Sequence, residues 1–119
     1  MIYNVPVMRE GMLEVLVSGH TREYLYWSTA EVIARAVVVE YPEKAEIKLI
    51  NVARHRRGEG IGSMLLERIV SDFLHKELFT WTFNGRSSWY ERRGFTVDEE
   101  RASLLKMVRR AKPSEGERS

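Results

Sequence analysis

The spacing of the apolar residues changes along the chain, and each change predicts a new element. From Ile61 to Lys76 they recur at steps of three and four residues, which predicts an amphipathic helix. From Leu78 to Asn84 large apolar residues alternate with polar ones, which predicts a strand with one strongly apolar face. A β-rich segment at 45–53 precedes the helix. Strand, helix and strand in this order predict a parallel crossover connection.

Runs rich in β-branched and aromatic residues predict further strands on both sides of this unit. They cover residues 12–18, 23–28, 32–40 and 102–109, with another strand starting at Phe95. The turn Tyr41-Pro42-Glu43-Lys44 joins 32–40 to 45–53, so these two segments are predicted to form an antiparallel hairpin.

The last third of the chain predicts one short helix and a tail. Asn84, Ser87 and Ser88 can cap a helix over residues 89–93, and Gly94 stands where a left-handed residue ends a helix. Residues 112–119 carry a proline and a glycine among charges, which is typical of a mobile tail. We therefore expect a single domain over residues 1–111 and a flexible tail over 112–119.

Composition narrows the classes of protein that the chain can belong to. The 119 residues include 19 basic and 17 acidic side chains, so the basic cluster at 54–57 is local and the chain is not a polycation. Cysteine is absent and the three histidines are scattered, so we expect no disulfide, no metal site and a cytoplasmic location. The start of the sequence lacks the pattern of a secretion signal, and no apolar run reaches about 18 residues, so we expect no membrane partner.

The segment Arg57-Gly58-Glu59-Gly60-Ile61-Gly62 carries the clearest chemical signal. Its three glycines leave backbone N–H groups bare just before the predicted helix, whose N-terminus adds a partial positive charge. Arg54, Arg56 and Arg57 add full charges, so the segment is typical of a phosphate or diphosphate site. The alternative is that the glycines serve only a tight turn. The spacing fits neither a dinucleotide fingerprint, which needs a glycine at Ser63, nor a P-loop.

Two patterns in this order resemble a known family. Arg57, Gly60 and Gly62 fill the fixed positions of Arg/Gln-x-x-Gly-x-Gly between a predicted strand and a helix. The run Trp-Tyr-Glu-Arg-Arg-Gly-Phe at 89–95 is similar to a second signature, a tyrosine on a short helix followed by Gly-Phe. Over about residues 32–108 the chain therefore resembles the GCN5-related N-acetyltransferase (GNAT) family.

The resemblance implies an α/β (α+β) fold with a mixed, mostly antiparallel sheet, flanking helices and a central parallel strand pair that splays apart. This is a compact form of the GNAT-like acyl-CoA N-acyltransferase fold. Strands 46–52 and 78–84 would admit the pantetheine arm of acyl-CoA, and the loop at 57–62 would hold its diphosphate. The implied cofactor-binding residues are Ile50, Val52, Ala53, Arg57, Gly58, Glu59, Gly60, Ile61, Gly62, Ser63 and Asn84. Asn84 lies one residue closer to Tyr90 than in the common family pattern.

Transfer of an acetyl group to an amine requires a base, because an alkylammonium with a pKa near 10.4 is not nucleophilic. Glu46 is the first candidate, since its spacing to the glycine loop resembles that of the base in histone-type members. Strand alternation predicts that it shares a face with Lys48, Ile50 and Val52. The alternative is a solvated glutamate paired with Lys44 or Lys48, and His55 and Glu40 are the substitutes.

Tyr90 resembles the tyrosine that many family members place beside the cofactor sulfur, where it would protonate the departing thiolate. The alternative is a core aromatic residue, the role expected of Trp89 and Phe95. Backbone N–H groups near Ile50 or Val52 would hold the developing oxyanion.

Family members usually carry one or two helices between the first strand and the following strands, and those helices wall the acceptor site. Residues 1–31 leave little room for them. We therefore expect an open pocket that suits a peptide or protein amine, built from Tyr24, Tyr26 and Trp27 or completed by a second copy in a homodimer.

These features predict an acyl-CoA-dependent N-acetyltransferase that moves an acetyl group from acetyl-CoA to a primary amine. Transfer would be direct, within a ternary complex and without a metal. The first alternative is a non-catalytic acyl-CoA-binding or sensing module of the same fold. The second is a small basic nucleic-acid binder, although the balanced charge gives no reason to expect a nucleic-acid partner.

Overall fold

The computed structural model describes residues 11–112. Seven strands and two helices follow one another, with single 3₁₀ turns at Arg54–Arg56 and Asn84–Arg86. The strands are β1 Met12–Ser18, β2 Thr21–Ser28, β3 Glu31–Glu40, β4 Lys44–Val52, β5 Glu77–Phe83, β6 Thr96–Arg101 and β7 Leu104–Arg109, and the helices are α1 Ile61–Asp72 and α2 Ser87–Glu91.

All seven strands form one sheet in the order β1-β2-β3-β4-β5-β7-β6. Only β4 and β5 run parallel, because α1 carries the chain across between them, and the other neighbouring pairs are antiparallel. The predicted hairpin, crossover helix and mixed sheet are confirmed. The parallel pair therefore lies at the centre of the sheet, with three strands beyond β4 on one side and two beyond β5 on the other.

Both helices pack on the same face of this sheet. The α1 residues Leu65, Leu66 and Ile69 are fully buried, as the three- and four-residue spacing predicts. Tyr90 of α2 belongs to the same core cluster, and the Trp89 Nε1–H donates to Ser63 Oγ at 3.3 Å, so the two helices touch. We call this side of the sheet the helix face.

Within residues 11–112 the opposite face of the sheet has no helix on it, and β5 shows the consequence. Leu78, Thr80 and Thr82 alternate on the helix face and are 1%, 4% and 6% exposed, whereas Phe83 on the other side is 64% exposed. The aromatic residues of β5 therefore point away from the helices, and cations lie over two of them. Lys44 and Lys106 are 5.4 and 5.0 Å from the Phe79 ring centroid. We call this side the open face.

The segment before β3 contains two strands and no helix among its described residues. β1 and β2 are joined directly at Gly19 and His20. Tyr24 of β2 is fully buried on the helix face and donates a hydrogen bond from its hydroxyl to Asp72 at 2.7 Å. The predicted aromatic pocket is therefore wrong for Tyr24, which belongs to the core.

Three predicted boundaries shift for local reasons. Helix α1 ends at Asp72 and not at Lys76, whose Nζ instead donates to Glu40 at 2.7 Å. Strand β7 begins at Leu104 because Ala102 has a left-handed φ of 54° in the turn after β6. Lys112, predicted to start the tail, donates its N–H to the Leu74 carbonyl at 2.9 Å. The remainder of the predicted tail lies outside the described residues.

Candidate active site

The parallel strands β4 and β5 pair over three residues and then separate. Lys44, Ala45 and Glu46 lie opposite Glu77, Leu78 and Phe79, and no later pair follows. A cavity of about 390 Å³ occupies the gap that opens beyond them. Its lining residues are Ile50, Asn51, Val52, Arg57, Gly62 and Arg86. The predicted splay of the central strands is confirmed.

The β4 edge of this gap presents free backbone. Ala34 of β3 lies opposite Val52, and the Ala53 N–H donates to the Ile33 carbonyl at 2.7 Å. Successive residues of a strand direct their peptide groups to alternate neighbours. The peptide groups of Ile50 and Val52 therefore point away from β3 and into the gap, whereas the Ala53 N–H is already occupied.

A β-bulge changes which side chains of β4 share a face. The register against β3 shifts so that Val37 faces Leu49 while Val38 faces Ile47, which leaves Lys48 as an extra residue. Ala45 and Ile47 are buried on the helix face, and after the bulge Ile50 and Val52 also pack against that core. The prediction that Glu46 shares their face is wrong, because the extra residue inverts the alternation. Glu46 lies on the open face.

The glycine loop begins where β4 ends. Gly58 and Gly60 have φ angles of 85° and 83°, which side chains rarely allow. Gly60 is the N-cap of α1 and supplies no side chain, and the first helical bond runs from the Met64 N–H to its carbonyl. The N–H groups of Ile61, Gly62 and Ser63 precede that bond and have no partner inside the helix.

A second cavity of about 270 Å³ lies over these N–H groups. It shares Val52, Arg57 and Gly62 with the cavity between the strands, so the two spaces adjoin. The strand gap and the loop therefore form one continuous path. A long ligand with a phosphorylated end and an amide-bearing arm matches this shape.

The arginines of the loop differ in what they contact. Arg56 forms an ion pair with Glu59, with 3.0 Å between Nε and Oε2, and donates to Ser28 Oγ at 3.0 Å. Its charge is thereby balanced, and the Glu59 side chain is engaged with it. Arg57 is exposed and donates from Nε to the Val52 carbonyl at 3.1 Å, at the point where the two cavities meet.

Two loop residues also have packing roles. A Cβ at Gly62 would lie 3.5 Å from Val52 Cγ2 and 3.7 Å from Trp89 Cζ2, which is ordinary contact. Gly62 therefore lets α1 approach β4 and α2 without requiring a special backbone angle. Ser63 accepts the Trp89 hydrogen bond, which ties the start of α1 to α2.

Glu46 is held beside a cation on the open face. Its side chain is 15% exposed, and Lys48 Nζ lies 3.5 Å from its Oε1. This contact matches the alternative interpretation, in which Glu46 is an ion-paired strand residue. The substitute Glu40 lies at the same end of the hairpin, on β3 opposite Ala45, where the hydrogen bond from Lys76 lowers its carboxyl pKa. His55 is exposed in the turn after β4.

Tyr90 is buried in the core of the helix face. It is 4% exposed and packs edge-to-face between Trp89 and Phe95, with ring centroids 4.9 and 5.4 Å away. Burial raises the pKa of its hydroxyl, and the charge of Arg86 and a hydrogen bond with Thr80 oppose that effect only in part. The hydroxyl therefore keeps its proton at neutral pH and is able to donate it.

One family of known proteins has a sequence model that matches this chain. Residues 20–97, well over half of the chain, match the model of the acetyltransferase (GNAT) domain. The chain belongs to the GNAT acetyltransferase family. Among curated proteins, none matches its sequence.

Solved structures share the fold of this GNAT chain. A GNAT family acetyltransferase from Elizabethkingia anophelis, crystallised with acetyl-CoA bound, is 21% identical with a TM-score of 0.66, covering 76% of both chains. Escherichia coli ElaA is 25% identical with a TM-score of 0.62, over 78% of this chain and 70% of that one. PaiA N-acetyltransferase from Thermoplasma acidophilum, in complex with coenzyme A, is 18% identical with a TM-score of 0.67, over 76% and 61%.

Sequence reasoning missed one charged residue of this GNAT site. Arg86 follows β5, lies 5.5 Å over the Trp89 ring and lines the strand gap opposite Ile50. Its position after the second splayed strand was the available signal. Asn84 is exposed at the end of β5, and its backbone carbonyl accepts a bond from Ser87 Oγ at 2.9 Å. The predicted side-chain cap of α2 is therefore absent, since Arg86 is the N-cap residue.

Within residues 11–112, no cluster of three or more histidine or acidic side chains is arranged to hold a metal ion. No helix in that part of the chain is long and apolar enough to span a membrane.

Proposed function

We propose that the protein is an acetyl-CoA-dependent N-acetyltransferase that transfers the acetyl group directly to a primary amine. The observation that carries this proposal is the continuous path from the uncapped start of α1 into the gap between β4 and β5. Related folds crystallised with acetyl-CoA or coenzyme A support the choice of ligand.

The cofactor would bind along this path in two parts. The N–H groups at residues 58–63 and the guanidinium of Arg57 would hold the diphosphate. The amides of the pantetheine arm would pair with the peptide groups of Ile50 and the N–H of Val52, as an added strand does, and would replace Arg57 if they also used the Val52 carbonyl. Ala53 would border the cofactor path without offering its N–H, because that N–H already donates to the Ile33 carbonyl. Arg86 would add a second charge beside the same path.

The amine would approach from the open face, where Glu46 lies. Glu46 is opposite Phe79 at the last paired position, next to the point where the strands part. It would take the proton from the ammonium, which requires its contact with Lys48 to loosen. A face without a covering helix in residues 11–112, and with Phe83 exposed on it, suits an extended peptide or protein segment better than a small buried metabolite. The acceptor class is therefore proposed to be a peptide or protein amine.

Two further roles are proposed, the contact with the oxyanion and the proton for the leaving sulfur. A peptide N–H of Ile50 or Val52 would hold the developing oxyanion, a contribution of about 3–4 kcal/mol in other enzymes. Tyr90 would give its proton to the departing sulfur. No covalent enzyme intermediate is needed, and the chain has no cysteine to form one.

A non-catalytic acyl-CoA sensor is the second candidate, and the ion pair of Glu46 with Lys48 favours it. In that case the same path would bind the cofactor, but no base would be available. The two functions differ in turnover and not in affinity.

The test combines calorimetry with acetyl-CoA and a thiol-release assay over a panel of amines and lysine peptides. The enzyme proposal expects binding together with amine-dependent release of coenzyme A. Binding without release would favour the sensor, and absence of binding would contradict both. Glu46→Gln, compared with Glu14→Gln on the outer strand, should lower the rate at neutral pH. An unchanged rate and pH profile would remove Glu46 as the base.

A homodimer is proposed through the edge of β1, which has no further strand beside it within residues 11–112. Residues 12–18 contain no lysine, arginine or proline, and Leu16 and Val17 are 44% and 65% exposed, so nothing there blocks pairing with another strand. The opposite edge, β6, carries a bulge and charged side chains instead. Light scattering of the protein and of Leu16→Lys should show a dimer and a monomer. A monomeric parent protein would contradict the proposal.

A further inference from the structure

The Trp89 indole extends from α2 to the start of α1. Its Nε1–H donates to Ser63 Oγ at 3.3 Å, and a Cβ at Gly62 would lie 3.7 Å from its Cζ2 atom. Gly62 and Ser63 belong to the first turn of α1, whose N–H groups have no partner inside the helix. Both residues also line the cavity over that turn. Trp89 therefore holds the start of α1 against α2 at the place where the loop cavity opens.

Two arginine side chains lie over the same indole ring. The Cζ atoms of Arg86 and Arg93 are 5.5 and 5.4 Å from its centroid. Arg93 has other contacts as well, since its Nη1 donates to the Trp89 carbonyl at 3.3 Å and its Nη2 lies 3.8 Å from Glu67 Oε2 on α1. Arg86 forms no ion pair within residues 11–112, and it lines the strand gap. The ring is therefore the contact that orients the Arg86 guanidinium beside the gap.

A cation–π contact orients a guanidinium without neutralising it. The attraction acts between the positive charge and the face of the ring, so no counter-charge is added. An ion pair does add one, as Glu59 does for Arg56 in the glycine loop. An arginine side chain that is already ordered also loses less conformational entropy when it binds a ligand. Arg86 is therefore oriented and still has its full charge for an anion.

We propose that Trp89 is a positioning residue for acyl-CoA, holding both the Arg86 guanidinium and the first turn of α1 in place for the phosphates. Gly62 lines both cavities and Arg86 lines one of them, so a single phosphorylated group can contact the two elements together. The inference rests on the proposed function, since it names the residue that prepares the cofactor path. It predicts that loss of the indole weakens binding of acyl-CoA through Arg86.

The first measurement is acetyl-CoA affinity by calorimetry in Trp89→Leu, Trp89→Phe and the control Trp27→Phe. Trp27 also donates its indole N–H, to Glu14 at 3.1 Å, but it lies on β2, two strands away from β4. We expect Trp89→Leu to weaken binding about tenfold, because both the ring and the N–H are lost. Trp89→Phe keeps a ring and should weaken binding about threefold. Trp27→Phe should bind acetyl-CoA as the parent does.

A double-mutant cycle separates the positioning of Arg86 from a general disturbance of the fold. In an Arg86→Gln background, Trp89→Leu should weaken binding only about threefold, because the guanidinium that the ring orients is gone. In an Arg57→Gln background it should cause the same loss as in the parent, since Arg57 is held by the Val52 carbonyl instead. An equal loss in the parent and in Arg86→Gln would overturn the inference, as would an unchanged affinity in Trp89→Leu.

A second readout does not depend on acetyl-CoA. The chain has three tryptophans, so its ¹H–¹⁵N NMR spectrum has three indole signals, and the one missing in Trp89→Phe belongs to Trp89. Titration with inorganic diphosphate should shift this signal, leave those of Trp27 and Trp81 in place, and have a smaller effect in Arg86→Gln. No shift, or the same shift in Arg86→Gln, would overturn the inference. A parent protein that shows the shift with diphosphate but does not bind acetyl-CoA would contradict the proposed function alone.

Discussion

The two faces of the sheet differ in what they carry. The helix face holds the core, with Leu65, Leu66 and Ile69 of α1 packed on β3 and β4, and the start of α1 forms the anion site beside that core. The open face carries Glu46 and the exposed Phe83, and two lysine ammonium groups lie over its Phe79 ring. Stability should therefore depend on the helix face. The choice of acceptor should depend on the open face.

The glycine loop should give the largest effect on function. Gly60→Glu places a carboxylate where the diphosphate would lie, and we expect acetyl-CoA affinity to fall about 100-fold or more. A side chain at the φ of 83° also strains the backbone by about 1–2 kcal/mol. Gly19→Glu is the matched control, because Gly19 has a φ of 58° in the β1–β2 turn far along the sheet. Calorimetry on both variants should show lost affinity only for Gly60→Glu, and equal affinities would contradict the assignment of the loop.

The two faces should differ next in stability. Leu66→Ala empties a fully buried position of α1 and should lower the free energy of unfolding by about 2–5 kcal/mol. Phe83→Ala, on the open face, should change it by less than about 1 kcal/mol while weakening binding of a peptide acceptor. Urea unfolding and acceptor KM measure these quantities. A large loss of stability in Phe83→Ala would mean that the open face is part of the core.

Removal of the Tyr90 hydroxyl, the proposed proton donor, should affect turnover more than affinity for acetyl-CoA. Tyr90→Phe keeps the ring packed between Trp89 and Phe95, and we expect kcat to fall by about 100-fold with a nearly unchanged affinity for acetyl-CoA. Because burial raises the Tyr90 pKa, the parent should keep its rate well into alkaline pH, and any alkaline limb should vanish in Tyr90→Phe. Steady-state rates across pH test this. Retention of both the rate and the limb would exclude Tyr90 as the acid.

The smallest expected effect concerns acid stability. The hydrogen bond from Lys76 lowers the Glu40 pKa in the folded protein, so this contact stabilises the fold above the ordinary pKa of a glutamate. The contribution is lost as pH falls through the lowered pKa. Glu40→Gln should therefore be slightly less stable than the parent at pH 7 and equally stable at about pH 2. Thermal unfolding across pH checks this, and a difference that grows in acid would reverse the assignment.

The sequence predicts the helix face more accurately than the open face, because the helix face depends more on local patterns. The spacing of apolar residues in α1 and the positive φ required at Gly60 are local properties, so they are visible in the residues themselves. The bulge at Lys48 depends on the register between β3 and β4, which local spacing does not encode, and it moved Glu46 to the other face. Arg86 lies outside both sequence signatures, so its place in the gap follows only from its position after the second splayed strand.

The central claim is that the path from the start of α1 into the β4–β5 gap binds acetyl-CoA. A crystal structure of the protein with coenzyme A tests it most directly. The account predicts the diphosphate on the N–H groups of residues 58–63 and the pantetheine arm against the peptide groups of Ile50 and Val52, with Arg57 turned from the Val52 carbonyl towards the diphosphate. Coenzyme A bound elsewhere, with Arg57 still closed on the Val52 carbonyl and the gap filled by side chains, would contradict it.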